Sequence, residues 1–423
     1  MIENATQRSG MEFINAFSHS GKPVKDLGRI RRLLATLGDP QKKLRFVHVA
    51  GTNGKGSVCE MFSRIFINAG LKTGCFTSPY IVHYNDRIRL NGADIPDDEL
   101  NEIAAQVKEK TQHSPDRHDF SQFEISQAIA FLYFAKHSCD VVVLETGMGG
   151  LLDCTNVITS PLLTVITTID LDHTAILGGT IAEIAFQKAG IIKPGVPCVL
   201  SGGNSKAAAD VVRQKAEENG SELIIPELEI AQISRVDIFG SQFEYKGRQY
   251  SLSMGGRHQI KNALSVIEGC ELLKEKLGLS DEDIFLGISQ AVLPARVEVL
   301  CPAPLTILDG AHNPDGLRAL SRVLEGCAKK CCAVIGMCAD KNIDEAVKSL
   351  VPFVSSFYTV DGFSERAVTK GELAAKITAL GGNAQECDLP IFAQIKALQA
   401  ENPDGVTLVC GSLYLAALVK NEL

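Results

Sequence analysis

Blocks of apolar residues alternate with mixed, helix-length segments along the first two-thirds of this chain. Arg45 to Ala50 and Thr73 to Phe76 read as short strands, and Asp140 to Glu145 and Leu162 to Thr167 as apolar, β-branched ones. Lys55 to Ala69, Ser121 to Lys136 and Thr180 to Ala189 have the length of helices. This alternation predicts a mostly parallel sheet covered by helices. From Ile230 to Ser253 the pattern changes to short alternating strands around a Lys246-Gly247 turn, which predicts an antiparallel hairpin at one edge of that sheet. A helix begins near His258. Pro294-Ala295-Arg296 reads as a hinge, because proline disfavours helix at the residue before it. Strands near Leu305, Ala333, Phe357 and Val406 then alternate with helices. The expected class is α/β. Residues 1–296 would form a phosphate-loop ATPase domain with a mostly parallel sheet and a small antiparallel edge. Residues 297–423 would form a smaller Rossmann-like α/β domain, to which no dinucleotide is assigned because it lacks Gly-x-Gly-x-x-Gly.

Composition narrows the chemistry. A chain of 423 residues is too long for one ordinary core, which agrees with two domains. A net charge of −8 speaks against a nucleic-acid partner, so any phosphate must be held by local features. No apolar run approaches the roughly 20 residues that span a bilayer. Met1-Ile2-Glu3-Asn4 carries no basic segment leading into an apolar one, so the expected location is cytoplasmic. The 13 cysteines include no Cys-x-x-Cys pair, and Cys331-Cys332 lies in a strand-like run whose side chains would face opposite ways. They read as small buried hydrophobes rather than a disulfide framework or metal site.

The strongest local signal is Gly51-Thr52-Asn53-Gly54-Lys55-Gly56-Ser57, between a strand and a helix. Glycines let successive backbone N–H groups turn inward on phosphate oxygens, and the helix presents its positive end to the same anion. Lys55 would reach the β- and γ-phosphates, and the Ser57 hydroxyl would ligate Mg²⁺. The stretch departs from the standard phosphate loop, since Gly56 separates the lysine from the serine. Glu145 ends an apolar strand, where a carboxylate faces bound ligands in open α/β sheets. Asp170-Leu171-Asp172-His173 follows the next strand, with Asp172 able to fix the His173 tautomer. Lys188, near a helix C-terminus, reads from pattern alone as a cation complementing the helix dipole.

Taken together, these segments resemble one family. They are Gly51 to Ser57; Thr77-Ser78-Pro79 with Arg87-Ile88 and Asn91-Gly92; Gly149-Gly150 with Leu152-Asp153-Cys154-Thr155-Asn156; and Asp172-His173 with Leu177-Gly178. Further along come Lys188-Ala189-Gly190-Ile191-Ile192-Lys193, His258-Gln259 with Asn262-Ala263, Leu308 to Pro314, and Gly411-Ser412-Leu413-Tyr414. In this order they resemble folylpolyglutamate synthase and its bifunctional dihydrofolate synthase form, within the Mur ligase superfamily.

The resemblance implies an ATP-dependent ligase joining L-glutamate to the carboxylate of folates, and of dihydropteroate, through an acyl phosphate. It implies two Mg²⁺ ions, with Ser57 and Glu145 serving one and His173 the second, and it admits K⁺ as a further ion. It implies that Lys188 is carbamylated by CO₂ and becomes a metal ligand. Asn262, Arg296 and Asp309 would join the loop in contacting the nucleotide, and His312 would help with glutamate or the transferring phosphoryl group. Phe123, Asp153 and Cys154 match positions near the pterin pocket. Domain closure would assemble these groups and exclude water, and the enzyme would be a monomer. Leu151 stands where the family usually has arginine, Gln187 where it has glutamate, and Tyr80 where histidine is common. These departures touch substrate details rather than the metal set.

Two rivals share part of this signal. A Mur ligase acting on a UDP-linked cell-wall precursor usually carries a separate N-terminal domain. Only about 44 residues precede the first strand here, against a usual minimum of roughly 50. A phosphate-loop kinase or nucleotide switch would need neither an amine acceptor nor a metal-ligating lysine.

Overall fold

The computed structural model describes residues 5–17, 25–327 and 331–422; Met1-Ile2-Glu3-Asn4, read above for a leader, lies outside them. The chain divides into two compact units. The first holds residues up to Leu228 together with Asn262–Ile288, and the second holds Glu229–Lys261 and Ser289 onward. This division differs from a boundary at 296/297 by assigning 229–261 and 289–296 to the second unit.

The first unit is built on strands β1 (Phe46–Ala50), β2 (Thr73–Phe76), β3 (Ile88–Leu90), β4 (Ala93–Asp94), β5 (Val141–Glu145), β6 (Leu163–Ile166), β7 (Cys198–Leu200) and β8 (Leu223–Ile224). They form one sheet in the order β4-β3-β2-β5-β1-β6-β7-β8. From β2 to β8 neighbours run parallel, whereas β3 and β4 pair antiparallel. Every residue of β1, β5 and β6 is buried, the pattern of central strands covered on both faces. One face packs Phe46, Phe76, Val142 and Leu144 against Phe131 and Phe134 of the helix Gln122–Lys136. Further along the same face, Ile166 and Leu200 pack against Ile184 and Ala185 of the helix Ile181–Ala189. The chain leaves β1 toward β2 on one side and leaves β5 toward β6 on the other, so a crevice opens at the carboxyl ends of β1, β5 and β6.

The antiparallel edge is not where the sequence pattern placed it. Strands β9 (Gln232–Asp237), β10 (Gly240–Tyr245) and β11 (Arg248–Leu252) pair only with one another, in a separate three-stranded sheet within the second unit. Their apolar side chains find partners inside that sheet, with Phe243 and Tyr250 stacked at 5.4 Å. The Lys246-Gly247 turn is present: both residues have positive φ, and Tyr245 pairs with Arg248 across a two-residue loop. The antiparallel edge of the large sheet is instead β3 and β4, too short to show a period.

The second unit also contains β12 (Glu298–Pro302), β13 (Leu305–Leu308), β14 (Cys331–Ile335), β15 (Val354–Thr359), β16 (Ala384–Glu386) and β17 (Val406–Cys410), in the order β12-β13-β17-β14-β15-β16. All neighbours are parallel except β12 with β13. All 13 cysteines are free thiols; Cys331 is buried and Cys332 half-buried, as alternation along a strand requires. No described helix is long and apolar enough to cross a membrane.

Candidate active site

Gly51 to Ser57 leaves the end of β1 and enters the helix Lys55–Asn68. Gly54 has φ 86°, and a Cβ there would lie 2.5 Å from Asn262 Oδ1, so the turn requires glycine twice over. Thr167 and Thr168, just past β6, brace the loop. Thr52 N–H donates to the Thr168 carbonyl at 2.6 Å, and Thr167 Oγ1 donates to the Asn53 carbonyl at 2.7 Å. Thr52 Oγ1 donates to the Asp170 carbonyl at 3.1 Å, which ties the glycine loop to the Asp170–His173 segment. The loop is thereby held open by its own neighbours.

Register brings the carboxylate to the same place. Val49 of β1 pairs with Glu145 of β5, so Glu145 ends its strand beside the start of the loop. Lys55 Nζ lies 3.8 Å from Glu145 Oε1 and 3.3 Å from the Thr52 carbonyl. Glu145 Oε2 accepts from Ser78 N–H at 3.2 Å. The Ser57 hydroxyl, buried one turn into the helix, has no hydrogen-bond partner among the described residues, and neither does Thr146 Oγ1. A buried orphan hydroxyl costs free energy unless a ligand satisfies it. This donor set fits Mg²⁺, which binds one or two protein oxygens and takes its remaining ligands from water and phosphate. It also explains why no three described His, Cys, Asp or Glu side chains converge as a metal cage.

Lys188 lies in the last turn of the helix Ile181–Ala189, which starts at a Thr180/Glu183 capping box. It is 3% exposed, and its ammonium makes no hydrogen bond or ion pair with any described residue. Burial pushes it down to about 7; the Lys55 charge acts in the same direction, against the opposing pull of Asp172 and Asp153. A surface cation on a helix dipole would show none of this. His173 adopts φ 50° at the start of a short helix, and its Nε2 stands 3.9 Å from Asp172 Oδ2. A carbonyl from Gln187 accepts the N–H of Leu151 at 2.7 Å, so two of the positions that depart from the family pattern touch.

Phe123 occupies the first turn of the helix Gln122–Lys136, fixed by a Ser121/Glu124 capping box whose glutamate is gripped by Arg29 at 2.6 and 2.9 Å. Its ring lies where a Cβ on Gly147 would be, 2.6 Å away, two residues beyond Glu145. Asp153 is turned inward. Its Oδ2 accepts from Met148 N–H and its Oδ1 from Thr155 N–H and Oγ1, which folds the glycine-rich segment into a closed loop. Burial raises its carboxyl above the ordinary range. Cys154 is buried in the aromatic core.

In the second unit, Asp309 follows β13 and acts first as a clamp. Its Oδ2 accepts from Val297 N–H and its Oδ1 from Ala311 N–H, both at 2.8 Å. Arg296 is flanked by Ala295 and Val297 at φ 54° and 50°, a conformation side chains other than glycine rarely adopt. The Asp309 carboxylate holds that bend. His312 Nδ1 lies 2.8 Å from the Gly310 carbonyl; as donor there it leaves Nε2 as the basic nitrogen.

Comparisons with known proteins place this architecture. Residues 49–269 match the Mur ligase middle domain, and 295–413 match the Mur ligase glutamate ligase domain. The chain is 35% identical over 413 residues to the dihydrofolate synthase/folylpolyglutamate synthase of Bacillus subtilis (strain 168), covering 94% of each. The folylpolyglutamate synthase of Lacticaseibacillus casei is 33% identical over 425 residues, with 97% of both chains covered. Among solved structures, a Mycobacterium tuberculosis folylpolyglutamate synthase complexed with ADP and AMPPCP superposes with a TM-score of 0.87, at 27% identity over 99% of this chain and 98% of that one. This chain belongs to the folylpolyglutamate and dihydrofolate synthase family of Mur ligases.

For a member of that family, the first unit gathers Lys55, Ser57, Glu145 and Asn262 around one loop, with Lys188 close enough to Lys55 to feel its charge. Arg296, Asp309 and His312 cluster separately in the second unit. Sequence reasoning passed over Thr146, Thr167 and Thr168. The paired threonines at a strand end opposite a glycine loop were the available signal.

Proposed function

We propose that this chain is an ATP-dependent ligase that joins L-glutamate to the carboxylate of a folate, and of dihydropteroate, through an acyl phosphate. The observation that carries the reading is the convergence of Lys55, the orphaned Ser57 hydroxyl and the Glu145 carboxylate at one strand-end crevice. The names of the Bacillus and Lacticaseibacillus relatives supply the acceptor and amine.

A carboxylate oxygen of the acceptor attacks the γ-phosphorus of ATP, and the bond from that phosphorus to the β,γ-bridging oxygen breaks, releasing ADP. The glutamate amine then attacks the acyl carbon, phosphate leaves with one former carboxylate oxygen, and the amine gives up a proton. Both partners in the first step are anions, so screening is the main task. The loop N–H groups and Lys55 would bind the triphosphate, with Asn262 behind Gly54. Ser57 and Glu145 would hold Mg²⁺, and His173 with Lys188 a second ion; Mg²⁺ supplies charge neutralisation on the phosphates. From the second unit we assign Arg296 to the nucleotide phosphates, Asp309 to positioning Arg296, and His312 to glutamate or the transferring group. Phe123 would flank the pterin, with the Asp153-Cys154 segment shaping the same pocket.

The Lys188 amine, neutral in a sizeable fraction near pH 7, is suited to attack CO₂. An N–C bond forms, a proton is lost to water, and the buried cation becomes a carbamate anion able to ligate metal. K⁺ would serve as a further ion, and we place the enzyme in the cytoplasm as a monomer, in keeping with its free thiols.

The test is phosphate release from ATP and Mg²⁺, with glutamate and acceptor supplied singly and together, comparing dihydropteroate, tetrahydrofolate and a UDP-linked precursor. Release that requires both glutamate and a pteroyl carboxylate is expected. Release without an amine, or only with the UDP-linked acceptor, would overturn the reading.

A further inference from the structure

Arg87 has no place in the scheme so far, although it lies in one of the segments shared with the family. Its residue is 6% exposed, and its guanidinium sits 5.5 Å from the Tyr80 ring centroid, 5.3 Å from Tyr84 and 5.9 Å from Phe123. Among the described residues the Nε–H has no hydrogen-bond partner and no carboxylate pairs with the group. Aromatic faces offset part of the cost of desolvating a cation. They do not supply an anion, and a buried unpaired charge is among the costliest features a fold can retain. Elsewhere in the same unit, arginines that are only half-buried are paired: Arg29 with Glu124, and Arg89 with Glu60, each at 2.6 Å.

The cage also stands beside the reaction centre. The Arg87 carbonyl accepts from Thr77 N–H at 3.0 Å, and the next residue, Ser78, donates its N–H to Glu145. Phe123, which forms one wall, lies against Gly147, two residues beyond Glu145. Tyr80, which forms another wall, is 38% exposed. We propose that Arg87 receives the carboxylate of the pteroyl acceptor, the group to be phosphorylated, and holds it beside the phosphate loop while Phe123 and Tyr80 border its ring. This deepens the ligase reading and rests on it. A guanidinium suits the task because its planar fork grips a carboxylate through two N–H groups and stacks on rings at the same time.

The experiment compares pteroate with pteroamide, its neutral isostere, as competitive inhibitors of ligation in the wild type, Arg87→Gln and Arg87→Lys. The wild type should bind the acid at least about tenfold more tightly than the amide. In Arg87→Gln that ratio should fall toward one, with the amide's own affinity within about threefold of wild type. Arg87→Lys, which keeps the charge but loses the fork, should fall between. A ratio preserved in Arg87→Gln, or absent in the wild type, overturns the proposal, as does equal loss of acid and amide, which would make Arg87 a reader of the ring or a structural strut. Nucleotide binding by each variant reports on folding, and if Arg87→Gln fails it, Arg87→Lys decides by the same ratio. A wild type that ligates no acceptor at all would defeat the ligase reading instead.

Discussion

Lys55 Nζ and Glu145 Oε1 face each other at 3.8 Å, across adjacent parallel strands whose register sets Val49 opposite Glu145. A loop lysine and a strand-end carboxylate this close neutralise each other, and on the proposed function a polyanion and its metal would separate them. Lys55→Ala and Glu145→Gln should each lower kcat for ligation by at least about 100- to 1,000-fold, the scale of losing one charge-stabilising group. Steady-state phosphate release checks this, with circular dichroism to show that the variants fold. Undiminished turnover by Lys55→Ala would refute the loop assignment.

Lys188 gives a pH prediction with a definite sign. Its folded-state value, about 7, lies below the ordinary lysine value of 10.5 because burial disfavours the cation. Between those limits the unfolded chain binds more protons than the folded one, so stability rises with pH from about 7 toward 10.5 and is lowest below 7. In CO₂-free buffer, Lys188→Met should raise the melting temperature at pH 7 and flatten this dependence. The same variant should lose most ligase activity. Wild-type activity should increase on adding bicarbonate, and partial rescue of Lys188→Ala by short carboxylates would support carbamylation.

Gly54→Ala should impair nucleotide binding more than folding. The new Cβ would sit 2.5 Å from Asn262 Oδ1 in a residue held at φ 86°. Left-handed strain alone costs about 1–2 kcal/mol, and relieving it would distort the phosphate cradle. A rise of tenfold or more in KM for ATP, with a melting temperature lowered by only a few degrees, is expected.

Asp309→Ala should loosen the bend that carries Arg296. The Asp309 carboxylate accepts the N–H of Val297, which sits at φ 50° although its side chain is β-branched. Losing both N–H bonds should destabilise the protein by about 1–3 kcal/mol and raise KM for ATP. Asp309→Asn, which retains one acceptor oxygen, should fall between. Urea unfolding together with ATP titration measures both effects.

What the sequence disclosed follows from how local each signal is. The strand–glycine loop–helix turn at residues 51–57, Glu145 at its strand end and the Phe123 helix start are written in runs of a few residues, and the central strands in continuous apolar stretches, so these positions were legible. The helix Asp97–Thr111 was passed over despite Asp97, Asp98 and Glu99 in its first turn and a buried stripe at Leu100, Ile103 and Val107. The independent sheet of β9 to β11 was misplaced because a hairpin's alternation does not say which sheet it joins. Asp309 as a clamp and Arg87 as a caged cation were out of reach, since the first depends on Val297 across the bend and the second on Phe123 from a separate helix.

Chemistry at the acceptor carboxylate is the centre of this account, and oxygen tracing tests it most directly. Dihydropteroate labelled with ¹⁸O in both carboxylate oxygens would be turned over with ATP and glutamate, and the released phosphate analysed by mass. One ¹⁸O atom in each phosphate, with the other kept in the new amide, is the predicted result. Unlabelled phosphate accompanying amide formation would contradict it.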